Sequence, residues 1–272
     1  ARALWERGFG FDYVSDRLLA GAKVGRDGAL NAPGGAQYRA IVVPSCDYLP
    51  AQTLDRLATL VGQGATVIFG STVPRDVPGL GRLEERRAAF LKARERLGLG
   101  KETAARELTA ASRGFGRVMA GPLEEALAAT GVRREPIVDH AGARVIRRRL
   151  EDGRYYFIVN QSMRKLDGWV ALATPARGVV VMDPLTGRAG AGQTRVGKDD
   201  LVELRLRLEP GHSIILRTFD QRPAHGEPWR WAHPAGEGST LSGPWKVEFI
   251  SGGPRLPQVW DTSELKSWTG NG

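Results

Sequence analysis

Tyr38-Arg39-Ala40-Ile41-Val42-Val43-Pro44-Ser45-Cys46-Asp47, then Pro50 to Gly62, then Ala65-Thr66-Val67-Ile68-Phe69-Gly70, is the stretch that decides the fold. The two apolar runs are short, continuous and rich in β-branched residues, as strands buried on both faces are. Between them Leu54, Leu57, Ala58 and Val61 recur at helical spacing, while Asp55, Arg56 and Gln63 fall elsewhere. Gly62 and Gly64 stand where a helix C-terminus wants a left-handed residue. Strand, helix and strand within about 30 residues predict a parallel βαβ unit.

Outward from this unit, Phe11, Val14, Leu18 and Leu19 predict a short helix capped by Asp12 or Ser15. Asn31 to Gly35 reads as a turn, and Ser71 to Gly81 as a loop at a strand's carboxyl end. Leu83 to Leu97 predicts a charged helix with Leu83, Phe90, Leu91, Arg94 and Leu97 on one side. Weaker helical character follows over Lys101 to Arg113, then an edge strand over Gly116 to Ala120 and a helix over Pro122 to Ala129. Past Gly131 the apolar period changes from 3.6 to 2. Strands are expected at 143–150, 155–160, 169–174, 178–182, 201–208 and 213–217, with a hairpin turn at Glu151-Asp152-Gly153. Strands in succession without helices mean an antiparallel domain. Gln221 to Gly238 is rich in Pro and Gly and reads as a linker. A new strand is expected from Gly243 to Ile250, and the roughly 30 residues left cannot bury a sandwich core. The expected divisions are therefore 1–135, an α/β domain; 136–222, an antiparallel β-domain; and 223–272, a linker with the truncated start of a β-sandwich.

Composition narrows the function classes. Net charge is +9 from 32 arginines and 7 lysines, and pI is about 10.1. The basic residues are scattered, apart from Arg144 with Arg147-Arg148-Arg149, and no aromatics interleave with them as on a single-strand platform. With abundant Ala and Gly this reads as codon bias, so no nucleic-acid partner is expected. No run reaches the roughly 18 apolar residues of a membrane helix, and no membrane partner is expected. The N-terminus, Ala1-Arg2-Ala3-Leu4-Trp5, has neither Met nor a signal-peptide pattern, as a piece cut from a longer chain would begin.

Candidate chemistry is sparse. Cys46 follows a buried strand, where amidotransferase-like and hydrolase folds place a nucleophile. Its flanks are Pro44, Ser45, Asp47 and Tyr48 rather than small residues, and an adjacent Asp disfavours a thiolate. His140, His212, His225 and His233 show no metal-ligand spacing, so neither metal nor cofactor is expected. Glu84-Glu85, Glu124-Glu125 and Asp199-Asp200 are adjacent pairs that point in different directions, unlike a glycosidase acid/base pair. No catalytic residue is assigned. Five tryptophans crowd the C-terminus: Trp245 and Trp268 read as core, and Trp229, Trp231 and Trp260 as candidates for stacking on sugars.

Several phrases resemble the C-terminal half of bacterial glycoside hydrolases of the α-L-rhamnosidase family, glycoside hydrolase family 106. They are Phe11-Asp12-Tyr13-Val14-Ser15-Asp16; Tyr38 to Pro44 with Leu54 to Val67; Tyr156-Phe157-Ile158-Val159-Asn160-Gln161; Met182-Asp183-Pro184-Leu185-Thr186-Gly187; and Leu241-Ser242-Gly243-Pro244-Trp245-Lys246-Val247-Glu248-Phe249. The resemblance implies a flavodoxin/class I amidotransferase-like α/β domain, an antiparallel β-domain and the start of a galactose-binding-like β-sandwich. It further implies a secreted or periplasmic parent acting on carbohydrate, with its catalytic carboxylates in an upstream barrel, and homo-oligomer contact as a role for the α/β domain. The competing reading is a self-contained amidotransferase-like or α/β hydrolase domain using Cys46.

Overall fold

The structure, a computed structural model, describes residues 2–100, 106–232 and 236–267. Trp268, His233 and residues 101–105 of the expected weak helix lie outside the described residues. The chain divides into two units, Ala1–Trp229 and Arg230–Gly272.

The first unit begins with α1 (Arg2–Glu6) and α2 (Asp16–Gly21). Ser15 caps α2, its Oγ accepting from the Leu18 N–H at 3.4 Å. The helix is shorter than the sequence predicts: Phe11 and Val14 precede the cap in extended chain and are exposed. Three two-residue strands follow, β1 (Lys23–Val24), β2 (Leu30–Asn31) and β3 (Gln37–Tyr38), which form an antiparallel meander. Periodicity over two residues is no signal, and only the turn inside this meander was expected.

The βαβ unit is present as β4 (Ile41–Val43), α3 (Ala51–Gly62) and β5 (Thr66–Phe69). The strands are parallel, with Ile41 opposite Val67 and Val43 opposite Phe69. Next come α4 (Leu83–Leu97), β6 (Thr109–Arg113), β7 (Gly116–Ala120) and α5 (Leu123–Ala129). The sheet order is β4-β5-β7-β6. Two expectations are corrected here. Residues 109–113 are a strand, not a helix. The strand over Gly116 to Ala120 is internal, parallel to β5 and antiparallel to β6.

Strand alternation divides the apolar residues between two cores. Ile41, Val43, Val67, Phe69, Val118 and Ala120 pack with Leu54, Leu57 and Val61 of α3 and with Phe90, Ala93 and Leu97 of α4. Ile68 and Met119 face the other way, onto Ala126 and Leu127 of α5, with Leu4 and Phe9 packed against them. Arg94 lies on the buried side of α4, as its spacing predicts, and donates to the carbonyls of Pro74 and Gly100. Leu91 does not join it and is exposed.

The remaining strands of this unit are β8 (Ala143–Leu150), β9 (Gly153–Asn160), β10 (Leu166–Ala171), β11 (Gly178–Met182), β12 (Ala189–Ala191), β13 (Thr194–Val196), β14 (Val202–Leu208) and β15 (Ser213–Phe219). They form two antiparallel sheets, ordered β12-β11-β15-β9-β8 and β10-β14-β13. A two-residue turn, Glu151-Asp152, joins β8 to β9. The buried faces of the two sheets meet at Gly192, where a Cβ would lie 2.6 Å from Leu204 Cδ1 and 3.0 Å from Val181 Cγ2. Asn160 ties one sheet to the other by donating to the Leu208 carbonyl at 3.0 Å.

Glu135 joins these strands to the N-terminal segment. It is 1% exposed. One oxygen accepts from the Arg147 guanidinium and from Tyr156 Oη at 3.2 Å. The other accepts from the Ala173 N–H at 2.8 Å. The Glu135 backbone N–H donates to the Gly8 carbonyl at 2.9 Å. Gly8 has φ +83°, and a Cβ there would stand 2.5 Å from the Glu135 carbonyl oxygen, so only glycine fits.

The second unit pairs β16 (Trp245–Val247) with β17 (Trp260–Thr262) antiparallel. The strand expected over Gly243 to Ile250 is confined to three residues. The Phe249 and Trp260 rings pack with centroids 5.6 Å apart.

Replacing Glu135 by Ala strands the Ala173 N–H and the Tyr156 hydroxyl and leaves Arg147 without its carboxylate. The expected loss is about 2–4 kcal/mol in urea unfolding. Arg147→Ala, at a partly exposed position, is expected to cost less than half of that.

Candidate functional site

The strand-end loops of the α/β layer, where open α/β sheets place ligands, are closed on themselves. The Asp47 carbonyl accepts from the Arg75 and Asp76 N–H groups at 2.8 and 3.3 Å, and the Leu49 N–H donates to the Asp76 carbonyl at 3.1 Å. Ser45 Oγ accepts from the Thr72 N–H at 3.3 Å. A Cβ at Gly70 would lie 2.5 Å from that same Oγ, so the two loops touch without space between them. Asp76 is held by the Arg87 guanidinium at 2.7 Å and by the Val77 N–H at 2.8 Å. These bonds bring its carboxyl down to about 2. The parallel strands β4, β5 and β7 are added in one direction, so the described strands have no reversal of order, the feature that opens a ligand crevice in doubly wound sheets.

Cys46 is half-buried against the core beside α3. Burial, and then the neighbouring Asp47, push its thiol above the usual range. A nucleophilic cysteine needs the opposite shift. The geometry therefore gives Cys46 a packing role.

The carboxylates follow one pattern. Asp167 is brought to about 2 by Lys165 and Arg205. Asp139 is lowered by Arg134, Asp152 by Arg217, and Asp183 by the Leu185 N–H and the Thr186 hydroxyl. Every described carboxyl with a displaced pKa is displaced downward. Among the described residues, no group of three or more His, Cys, Asp and Glu is placed to hold a metal ion.

The candidate tryptophans are distributed over both units. Trp229 ends the first; its backbone N–H donates to the Ala191 carbonyl at 2.7 Å, and the Arg188 guanidinium lies 5.0 Å from its ring centre. Trp231 and Trp260 belong to the second unit and are half-buried, as is Trp245.

One concavity has no complete local signal in the sequence. It is a cleft of 1470 Å³ beside β8, the edge strand of the five-stranded sheet. Trp5, Phe11, Tyr38, Arg133, Arg147 and Arg149 are among its lining residues, and Glu135 lies at its base. Trp5 is fixed there by its indole N–H, which donates to the Val145 carbonyl at 3.2 Å. Tyr38 Oη donates to Asp12 at 2.6 Å, which raises the phenol to about 12. The Arg147-Arg148-Arg149 run was the sequence signal for this site, but nothing local links it to Trp5 or Glu135.

The sequence pattern of glycoside hydrolase family 106, α-L-rhamnosidase, matches residues 3–191. Among solved structures, the chain is similar to a rhamnosidase from Novosphingobium sp. PP1Y, with TM-score 0.68 and 24% identity, covering 95% of this chain and 24% of that one. It also matches a β-galactosidase from Bacillus circulans sp. alkalophilus, with TM-score 0.47 and 13% identity, over 80% of this chain and 36% of that one. No curated protein matches. The chain thus spans about a quarter of the length of the rhamnosidase it matches.

Alkylation of Cys46 by iodoacetamide is expected to follow the thiolate fraction. Its rate at neutral pH should fall below that of free cysteine, and its midpoint should lie above about 8.5. Mass spectrometry over a pH series reads both.

Proposed function

The chain belongs to the α-L-rhamnosidases of glycoside hydrolase family 106, and from that premise we propose that it forms a non-catalytic portion of such an enzyme, whose catalytic carboxylates lie upstream. The carrying observation is that guanidinium groups lock Asp76, Asp139, Asp152 and Asp167 and displace their carboxyls downward. Glycoside hydrolysis needs one carboxyl that keeps its proton at working pH to protonate the leaving oxygen, and a neighbour that stays ionised. Arginine-locked carboxylates are good structural pins and poor acids. The short span relative to the solved rhamnosidase supports the same reading.

In this reading residues 1–135 are a flavodoxin/amidotransferase-like module without amidotransferase chemistry. Residues 136–222 are an antiparallel β-domain, and 223–272 begin a galactose-binding-like sandwich. The parent is secreted or periplasmic and removes terminal rhamnose or a related sugar from glycans, with Trp229, Trp231 and Trp260 offering sugar contacts. The raised thiol of Cys46 and the closed strand-end loops speak against the self-contained hydrolase alternative.

Hydrolysis of an aryl α-L-rhamnoside is the direct test. Activity is expected in a chain extended upstream and not in these 272 residues alone. Activity in the 272-residue chain overturns the accessory reading. Contact between copies through the α/β module is the proposed second role; light scattering of the extended chain should then report an oligomer, and a monomer removes that role.

A further inference from the structure

The cleft beside β8 carries more positive charge than the protein balances. Six arginines and three carboxylates line it. Glu135 is saturated by the bonds described above, and Asp12 accepts from Tyr38. Glu151 is exposed at the hairpin turn. Side chains alternate along a strand, so Arg147 and Arg149 share the face that turns toward Glu135. The Arg147 guanidinium donates to Glu135 and stands 3.7 Å from where a Gly10 Cβ would be. Arg149 sits directly opposite Arg154 across the β8–β9 ladder. Like charges at facing positions disfavour pairing of the strands. Arg154 donates to the neutral Thr174 hydroxyl. Among the described residues, Arg133, Arg149 and Arg154 make no ion pair. Elsewhere some arginines, such as Arg87, Arg96, Arg134, Arg195 and Arg205, each meet a carboxylate, and others, such as Arg56 and Arg86, donate to backbone carbonyls; what marks the cleft is that three arginines without a carboxylate line one concavity.

Of the four aromatic residues that line the same cleft, Trp5 and Phe11 are each 36% exposed. Guanidinium groups pair carboxylate or sulfate oxygens through two parallel hydrogen bonds, and aromatic faces pack on the apolar face of a sugar ring. We propose that this cleft binds an anionic oligosaccharide, its acidic groups held by Arg133, Arg149 and Arg154 and a sugar ring resting on Trp5 or Phe11. The choice of a sugar over other anions rests on the glycoside hydrolase reading; the charge imbalance does not.

Calorimetric titration of the 272-residue chain with trigalacturonate, a sulfated trisaccharide, neutral maltotriose and a thymidine trinucleotide tests the proposal. At least one acidic trisaccharide should bind, and which one does identifies the anion. Maltotriose and the trinucleotide should not bind measurably. Arg133→Gln and Arg149→Gln, both at exposed positions, should each weaken binding about tenfold. Arg17→Gln removes the same charge at an exposed position outside the cleft and should leave affinity within about twofold. Coincident melting curves confirm that the variants fold. Absence of binding by both acidic sugars overturns the proposal. So does equal binding of the trinucleotide, or an equal loss in Arg17→Gln. Rhamnosidase activity is measured separately, so failure of the family-based reading and failure of this site give different results.

Discussion

One buried carboxylate constrains how the first unit is put together. An ionised Glu135 at the bottom of a cleft is expensive unless each lone pair finds a donor. Its donors come from three places, β8, β9 and the segment after β10, while its backbone N–H donates to the carbonyl of Gly8, in the segment that follows α1. None is close in sequence to another except across the β8–β9 hairpin. The β-strands alone thus satisfy the charge, the backbone bond to Gly8 holds the N-terminal segment against them, and the cleft lies along that seam. Tyr156 pays a share of this arrangement: burial, and then the neighbouring charge, hold its phenol protonated far beyond the usual range.

The α/β layer shows why a familiar scaffold carries no reaction here. Its strand-end loops are used to bind one another, through Asp47, Asp76 and Arg87, and Gly70 lets Ser45 close the gap. A reactive site needs room, a poised group and a partner that moves its pKa toward the working range. At this position the thiol goes up, the carboxylate goes down, and the space is filled. Such an end of a sheet is built for rigidity.

The parts legible in the sequence were those with a long or repeated pattern. The βαβ unit, α4 with its buried Arg94, and the strands β8, β9, β11, β14 and β15 declare themselves through apolar periodicity, whereas β10 begins and ends three residues before the expected 169–174 and the three-residue β12 and β13 give no signal. The failures have physical causes. Residues 109–113 contain two alanines and read as helix, yet the tight turn at Gly114-Phe115 returns the chain along β7 and makes them its edge partner. Tertiary pairing overrode local propensity. Phe11 and Val14 fit a helical face but lie outside the helix, because Ser15 takes the cap. The cleft was invisible for a different reason: its aromatic residue at position 5, its carboxylate at 135 and its arginines near 149 meet only in space. The family resemblance was legible because it rests on phrases spread along the chain.

The strand order of the five-stranded sheet has a consequence for how the protein is made. β15, the last of its strands in sequence, lies between β9 and β11. The β8–β9 hairpin can form as soon as it is synthesised, but its other neighbour is some 50 residues away along the chain. Until Ser213 to Phe219 arrives, β9 and β11 each present an unpaired apolar edge. Loop closure over that distance is slow compared with hairpin formation, and unpaired edges of this kind are where chains associate wrongly. Completion of this sheet is thus a late event in synthesis, and a chain ending before residue 219 lacks its keystone strand.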